Sequence, residues 1–360
     1  MSSPPRAGKQ TPAYAAPFPW FGGKRRIAPE VWRRFGDVDH YVEPFAGSLA
    51  VLLGRPADHR QRTETVNDRD GFVVNAWRAI LHDPAATAAA ADWPAHEADL
   101  HARHAWLVER RHLLSSRLEG DPDYYDARIA GWWLWGLSQW IGGGFCGGVG
   151  PWSRAEVTPG DWQLVRGERP GQGIQRQRLH LGTAGQGVQR QRMHLGTNRG
   201  VTRGQRSADL DGQAGMGQQG LVAWLVALSE RLRRVRVACG DWSRVVTKGV
   251  LAGAHRPGIL LDPPYSVEAG CDADLYALGD REIAHEVCRW CQDAPAHYRI
   301  ILCGYAGEGH ESLETAGWSV VPWKAPGGMA RDDGANARRE RIWCSPACLT
   351  VQQASLFEAR

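Results

Sequence analysis

The sequence predicts an α/β fold, a mostly parallel sheet with helices packed on it and a terminal antiparallel hairpin. Three observations predict it. Strand-like and helix-like segments alternate on both sides of a polar insertion, the pattern of successive β–α units. GILL at 258–261 is an unbroken apolar run, as expected of a strand buried on both faces, and it stops at Asp262-Pro263-Pro264-Tyr265. WSVVPW and RERIWCSP then read as two final strands joined by a Gly- and Arg-rich loop.

The elements follow in order. Residues 1–17 are proline-rich and read as a flexible leader. WFGGKRRIAPEVWRRF is a glycine turn and a helix that tolerates Pro29 in its first turn. HYVEPF (40–45) is a short strand, followed by Gly47 and a helix through SLAVLLG. TETVND (63–68) alternates and ends at a polar tip, a second strand. Residues 72–140 are mainly helical and stop at IGGGFCGGVGPW. Then GQGIQRQRLHLGTA (171–184) repeats at once as GQGVQRQRMHLGTN (185–198). Two and a half copies are too few to stack as a solenoid, so this reads as an insertion and not as core. LVAWLVALSERLRRV, VRVACGDW, GILL, REIAHEVCRWCQD and YRIILCGY resume the helix–strand alternation.

At 360 residues the chain is long enough for about two domains, and 43% apolar with 23% charged residues is ordinary for a folded protein. The longest apolar run, LVAWLVAL at 221–228, is far short of the ~20 residues of a membrane span, and the leader lacks a signal-peptide core. A cytoplasmic location is expected. Only four of the 43 basic residues are lysine. GC-rich coding explains that ratio, but not the clustering: residues 151–206 carry ten arginines and three acids, +7 against −3 for the rest of the chain. Such an appendage suits a polyanionic partner. Of the eight cysteines, Cys288 and Cys291 are spaced C-x-x-C, but on a helix without glycine knuckles they read as small buried residues. No metal site is expected.

The strongest chemical signal is Asp262-Pro263-Pro264-Tyr265. Two prolines force an extended turn and leave carbonyls without competing N–H partners. Asp262 is thereby held at the carboxyl edge of the sheet, where such folds bind ligands. A carboxylate and a proline carbonyl can accept both hydrogens of a nucleobase amino group, favouring a pyramidal nitrogen with its lone pair outward. The tyrosine ring can stack on the base.

These residues resemble the amino-methylating DNA methyltransferases, in particular the Dam-type DNA adenine methylase family. Four further segments match that family in its order. Trp20-Phe21-Gly22-Gly23-Lys24 is similar to its cofactor-lining W-x-G-G-K. Val42-Glu43-Pro44-Phe45-Ala46-Gly47-Ser48 resembles the loop that holds the methionine end of the cofactor, with Leu49 where a further glycine is usual. Asn67-Asp68 matches the tip whose acid, here Asp68, meets the ribose hydroxyls. Cys239-Gly240-Asp241-Trp242 resembles the motif beside the cofactor's adenine.

The resemblance implies a Rossmann-like S-adenosylmethionine-dependent core at 18–84 and 221–350, with catalysis by Asp262, Pro263, Pro264 and Tyr265. It implies S-adenosyl-L-methionine as cofactor, bound at Trp20–Lys24, Glu43, Pro44, Phe45, Gly47, Ser48, Asp68, Asp241 and Trp242. Methyl transfer needs no metal, because the sulfonium is already a good leaving group. Residues 85–220 take the place of the mainly helical target-recognition region, and 351–360 are a tail. There Phe145 or Trp152 can stack or wedge at a flipped base, with a glycine linker as the alternative. Arg176, Arg178, Arg190 and Arg192 recur on alternate positions, one face of an extended ribbon, suited to double-stranded DNA; a solvated insertion is the alternative. The expected activity is site-specific adenine-N6 methylation by a monomer or weak dimer, in a phage or restriction–modification setting. Cytosine N4, RNA or a protein amide as acceptor, and a non-catalytic DNA-binding module with a decayed core, are the rivals.

Overall fold

The computed structural model describes residues 14–18, 20, 23–59, 62–140, 145–147, 152–158, 161–166, 218–265, 282–323 and 339–350. Nine strands are described: β1 (His40–Glu43), β2 (Thr63–Asp68), β3 (Trp152–Thr158), β4 (Asp161–Arg166), β5 (Val235–Cys239), β6 (Pro257–Leu261), β7 (Arg299–Tyr305), β8 (Ser319–Pro322) and β9 (Glu340–Cys344). The helices are α1 (Ala28–Phe35), α2 (Ala50–Leu53), α3 (Gly71–His82), α4 (Pro84–Ala91), α5 (Glu97–Gly120), α6 (Ala127–Gln139), α7 (Gln218–Leu232), α8 (Ile283–Asp293) and α9 (Ser312–Thr315).

Seven strands form one sheet in the order β5-β2-β1-β6-β7-β9-β8. The first five run parallel, and β9 inserts antiparallel between β7 and β8. The order reverses between β1 and β6, and such a switch point opens a crevice at the carboxyl ends of the strands. The mostly parallel sheet and its terminal antiparallel pair are as the sequence predicts.

Alternate strand residues enter two separate apolar clusters, as the two-residue period of a strand dictates. Tyr41, Leu260, Ile301, Cys303 and Ile342 face one cluster, with α1, α3 and α7. Val42, Ile259, Leu261, Ile300, Leu302 and Trp343 face the other, with α8. All five β6 residues are therefore buried, which is why its sequence carries no polar alternation. Helix α7 buries Leu221, Leu225, Leu228 and Leu232, one stripe at helical spacing. Cys288 and Cys291 are both buried on the inward face of α8.

Several details differ from the sequence expectation. Residues 14–17, expected in a flexible leader, pack on the core: Ala15 is buried, and Tyr14 and Ala16 lie against the first cluster. Their apolar side chains cover surface that would otherwise face water. Helix α2 is a single turn, because Leu49 before it and Gly54 after it leave helical geometry. Residues 152–166, in the tract read partly as a glycine linker, contain the antiparallel pair β3–β4 beside α5. Helices α4 to α6 share the first apolar cluster with the sheet helices. The repeats at 171–206 lie outside the described residues. No described helix is long and apolar enough to cross a membrane.

A buried charge network ties the two sequence halves of the sheet together. Glu64 on β2 accepts from Arg55 (3.1 Å) and from both terminal nitrogens of Arg231 on α7 (2.7 and 2.8 Å). The arginines also donate to the Val38 and Leu52 carbonyls. Desolvating three charges is costly, and these bonds offset it by satisfying several of the buried donors.

Candidate active site

The loops that leave β1, β2 and β5 are joined through one asparagine. Asn67, 1% exposed, donates from Nδ2 to the Pro44 carbonyl (3.1 Å) and the Gly240 carbonyl (3.0 Å). Its own carbonyl accepts from the Ala46 amide, and that of Asp68 accepts from Gly240. Gly47 follows at φ +44, with the Trp20 indole nitrogen 2.5 Å from where a Cβ would stand. Only glycine takes that backbone and that contact together. Trp77 donates to the Gly47 carbonyl (2.8 Å). Leu49 also lies in the left-handed region (φ 53), fully buried. The glycine usual there in the resembled family would relieve this strain of about 1–2 kcal/mol, which the buried leucine side chain here offsets.

Asp68 sits at the carboxyl end of β2. Its Oδ2 accepts from the Gly47 amide and its Oδ1 from the Asp70 amide, both at 2.9 Å. Burial pushes its carboxyl up to about 7, although these N–H donors pull the other way. A carboxylate has roughly four acceptor positions, so two such bonds leave room for hydroxyl donors. Glu43, 4% exposed at the end of β1, accepts from the Tyr41 hydroxyl (2.9 Å). Burial raises it to about 8, the Tyr41 bond opposes that, and the nearby Asp262 adds to it.

Asp262 follows β6 directly, and Lys24 meets it: Nζ lies 2.8 Å from Oδ1. Lys24 is buried, and its ammonium also lies 5.2 Å from the Tyr265 ring centre and 5.8 Å from that of Trp323. Burial alone would lower its affinity for a proton, but Asp262, Cys303 and Glu340 outweigh that and raise it. Lys24 thus stays a cation. Tyr265, 7% exposed, donates to Glu340 Oε2 (2.9 Å) and lies 3.4 Å from Asp262 Oδ1. Its ring meets Tyr305 edge-on at 4.4 Å.

The structure therefore brings together Lys24, Glu43, Asp262 and Tyr265 at the switch point, with Asp68 one strand away. Lys24, which the resemblance groups with the cofactor loop, pairs with the Asp262 carboxylate. Trp20 is half-buried beside the Gly47 turn; Gly23 leads into the turn that carries Lys24. Ser48 is buried in the same loop. Phe45 and Trp242 stack at 6.1 Å, with Trp242 inside the second apolar cluster. Asp241 is exposed and caps the short turn Trp242–Val245 by accepting from the Ser243 amide (2.9 Å). Phe21 and Gly22 lie outside the described residues, as do Arg176, Arg178, Arg190 and Arg192.

Phe145 corrects an expectation. It is 3% exposed, between His104 and Trp140, and its ring fills the space above Gly136. It is packing in the helical layer, not a ring held out to a base. Trp152 opens β3, paired with Arg166. Glu340 was missed. The signal for it lay in ERIWC, where Glu340, Ile342 and Cys344 share one face of a strand and two of the three are apolar.

Residues 20–112 match the family model of the D12 class N6 adenine-specific DNA methyltransferases. No curated protein matches the chain. The matched segment contains the Trp20–Lys24, Glu43–Ser48 and Asn67–Asp68 motifs, and the fold sets Asp262 against its lysine. Over that segment the chain is similar to the D12 class N6 adenine-specific DNA methyltransferases, a family named for methylating adenine at N6 in DNA.

Proposed function

We propose that this chain methylates adenine N6 site-specifically in double-stranded DNA, with S-adenosylmethionine as donor and Asp262-Pro263-Pro264-Tyr265 as the catalytic turn. The observation that carries it is the 2.8 Å Lys24–Asp262 pair, which joins the matched domain to that turn at the sheet's switch point. The crevice suits the cofactor chemically. Buried acids at the ends of β1 and β2 are acceptors for a cationic amino acid end (Glu43) and for ribose hydroxyls (Asp68). When bound, S-adenosylmethionine supplies an electrophilic methyl group.

The protein's own residues do the rest. An exocyclic amine is a poor nucleophile because its lone pair is delocalised into the ring. The Asp262 carboxylate and the Pro263 carbonyl accept its two hydrogens and direct the lone pair outward. As the nitrogen becomes cationic, Asp262 is the nearest acceptor for its proton. Lys24 fixes that carboxylate, and buried Tyr265 braces the turn. A duplex target must be flipped out, at a cost of a few kcal/mol.

The test is labelled S-adenosylmethionine with methylated and unmethylated duplexes, followed by base-resolution mapping. Label at adenine N6 in one sequence context is expected; label confined to cytosine N4, RNA or protein, or none, would replace this reading.

Residues 85–220 are proposed to supply target recognition, with the arginine repeats on the DNA backbone. Replacing Arg176, Arg178, Arg190 and Arg192 by Gln should weaken DNA binding and flatten its log–log salt slope by about 0.9 per lost phosphate contact. An unchanged affinity and slope would make the repeats a passive insertion.

A further inference from the structure

We infer that Glu340 on β9 is a positioning residue for methyl transfer, acting through the Tyr265 hydroxyl on the Asp262-Pro263-Pro264-Tyr265 turn. The inference rests on the proposed catalytic role of that turn. Glu340 is 3% exposed, and Ile342 and Cys344, on the same face of β9, are fully buried. A carboxylate in such a place costs desolvation energy that an apolar residue would not. What it holds there is the Tyr265 hydroxyl, at 2.9 Å, which in turn lies 3.4 Å from Asp262 Oδ1.

The sheet register doubles this grip. Glu340 is the cross-strand partner of Tyr305, and Tyr305 packs edge-on against the Tyr265 ring. One rung of the β7–β9 ladder thus fixes both the ring and the hydroxyl of the same tyrosine. Lys24 completes the arrangement, since its ammonium faces Asp262 directly and lies near Glu340 and the Tyr265 ring. The turn has no helix or ladder of its own after Leu261, so its geometry depends on these side chains.

A kinetic double-mutant cycle on the full chain tests this: Glu340→Gln, Tyr265→Phe and the pair, on DNA carrying the mapped adenine. Each single variant is expected to lower kcat roughly 10- to 100-fold, as small misplacements of reacting groups do, with KM for DNA within about threefold. The pair should be no more than about twofold slower than the slower single variant, because both changes break one contact. Multiplicative losses, or parental turnover by Glu340→Gln, overturn the inference. Should Glu340→Gln fail to fold, Glu340→Asp in the two Tyr265 backgrounds gives the same comparison under the same criteria. Asp262→Ala is run in parallel. If it retains turnover, the reading of the whole turn fails; if it is inactive while the cycle is multiplicative, only the role of Glu340 fails.

Discussion

The two sides of the crevice are held in different ways. The loops after β1, β2 and β5 are locked by side chains that bond to backbone: Asn67 to Pro44 and Gly240, Trp77 to Gly47, Asp68 to Gly47 and Asp70. The turn after β6 is held by side chains bonding to side chains, Lys24 to Asp262 and Tyr265 to Glu340. The bonds from neutral Asn67 and Trp77 fix a shape whatever the state of charge. A charge-held turn keeps its carboxylate in place but ties its geometry to the ionisation of its partners. The first arrangement suits a binding cradle, and the second suits a reacting group.

That contrast can be broken at either side. The largest effect should come from Asp262→Ala, which lowers methyl transfer by roughly 10²–10⁴-fold while cofactor affinity, measured by calorimetry, stays within severalfold. Near-normal turnover on the mapped site would remove the catalytic assignment. Asn67→Ala should act the other way round, as a structural lesion. It strips two buried carbonyls of their partner, at about 1–3 kcal/mol each, so the stability read from denaturant unfolding should fall by about 2–6 kcal/mol, with a lower midpoint. An unchanged midpoint would mean that the three loops hold without it.

The smallest effect sharpens the comparison through pH. With its carboxyl at about 7, Asp68 is increasingly protonated below neutrality and loses acceptor positions there. Cofactor affinity should therefore rise between about pH 6 and pH 8, by at most tenfold per unit for a single proton. Glu43, at about 8, titrates in the same direction for a cationic ligand. Asp68→Asn should be weaker at pH 8 and show a shallower slope. A pH profile identical to the parent's would detach Asp68 from the cofactor.

The middle of the sheet was legible because β6 and β7 are covered on both faces. GILL and RIILC need no polar alternation, and their apolar runs name them. The motif loops were legible for a similar reason, since glycines, prolines and an Asn-Asp tip mark turns whose geometry few residues tolerate. Residues that act by long-range pairing were not. Glu64, Arg231 and Glu340 look like ordinary charged positions in sequence, and only the fold supplies their partners. Phe145 misled because a ring among glycines looks exposed, whereas Gly136 makes the socket that buries it.

The sheet order has a consequence for biosynthesis. Strand β1 pairs with β2 on one edge, but its other edge waits for β6, from His40–Val42 to Pro257–Ile259. At about 5–20 residues per second of translation, the gap lasts roughly 10–40 s. During that time the open edge of β1 is a template for pairing with other chains. Glu64 likewise waits for Arg231 on α7 before its buried charge gains that pair of bonds. The centre of this enzyme therefore closes late, and a nascent chain stalled anywhere between the two halves carries an uncovered crevice edge.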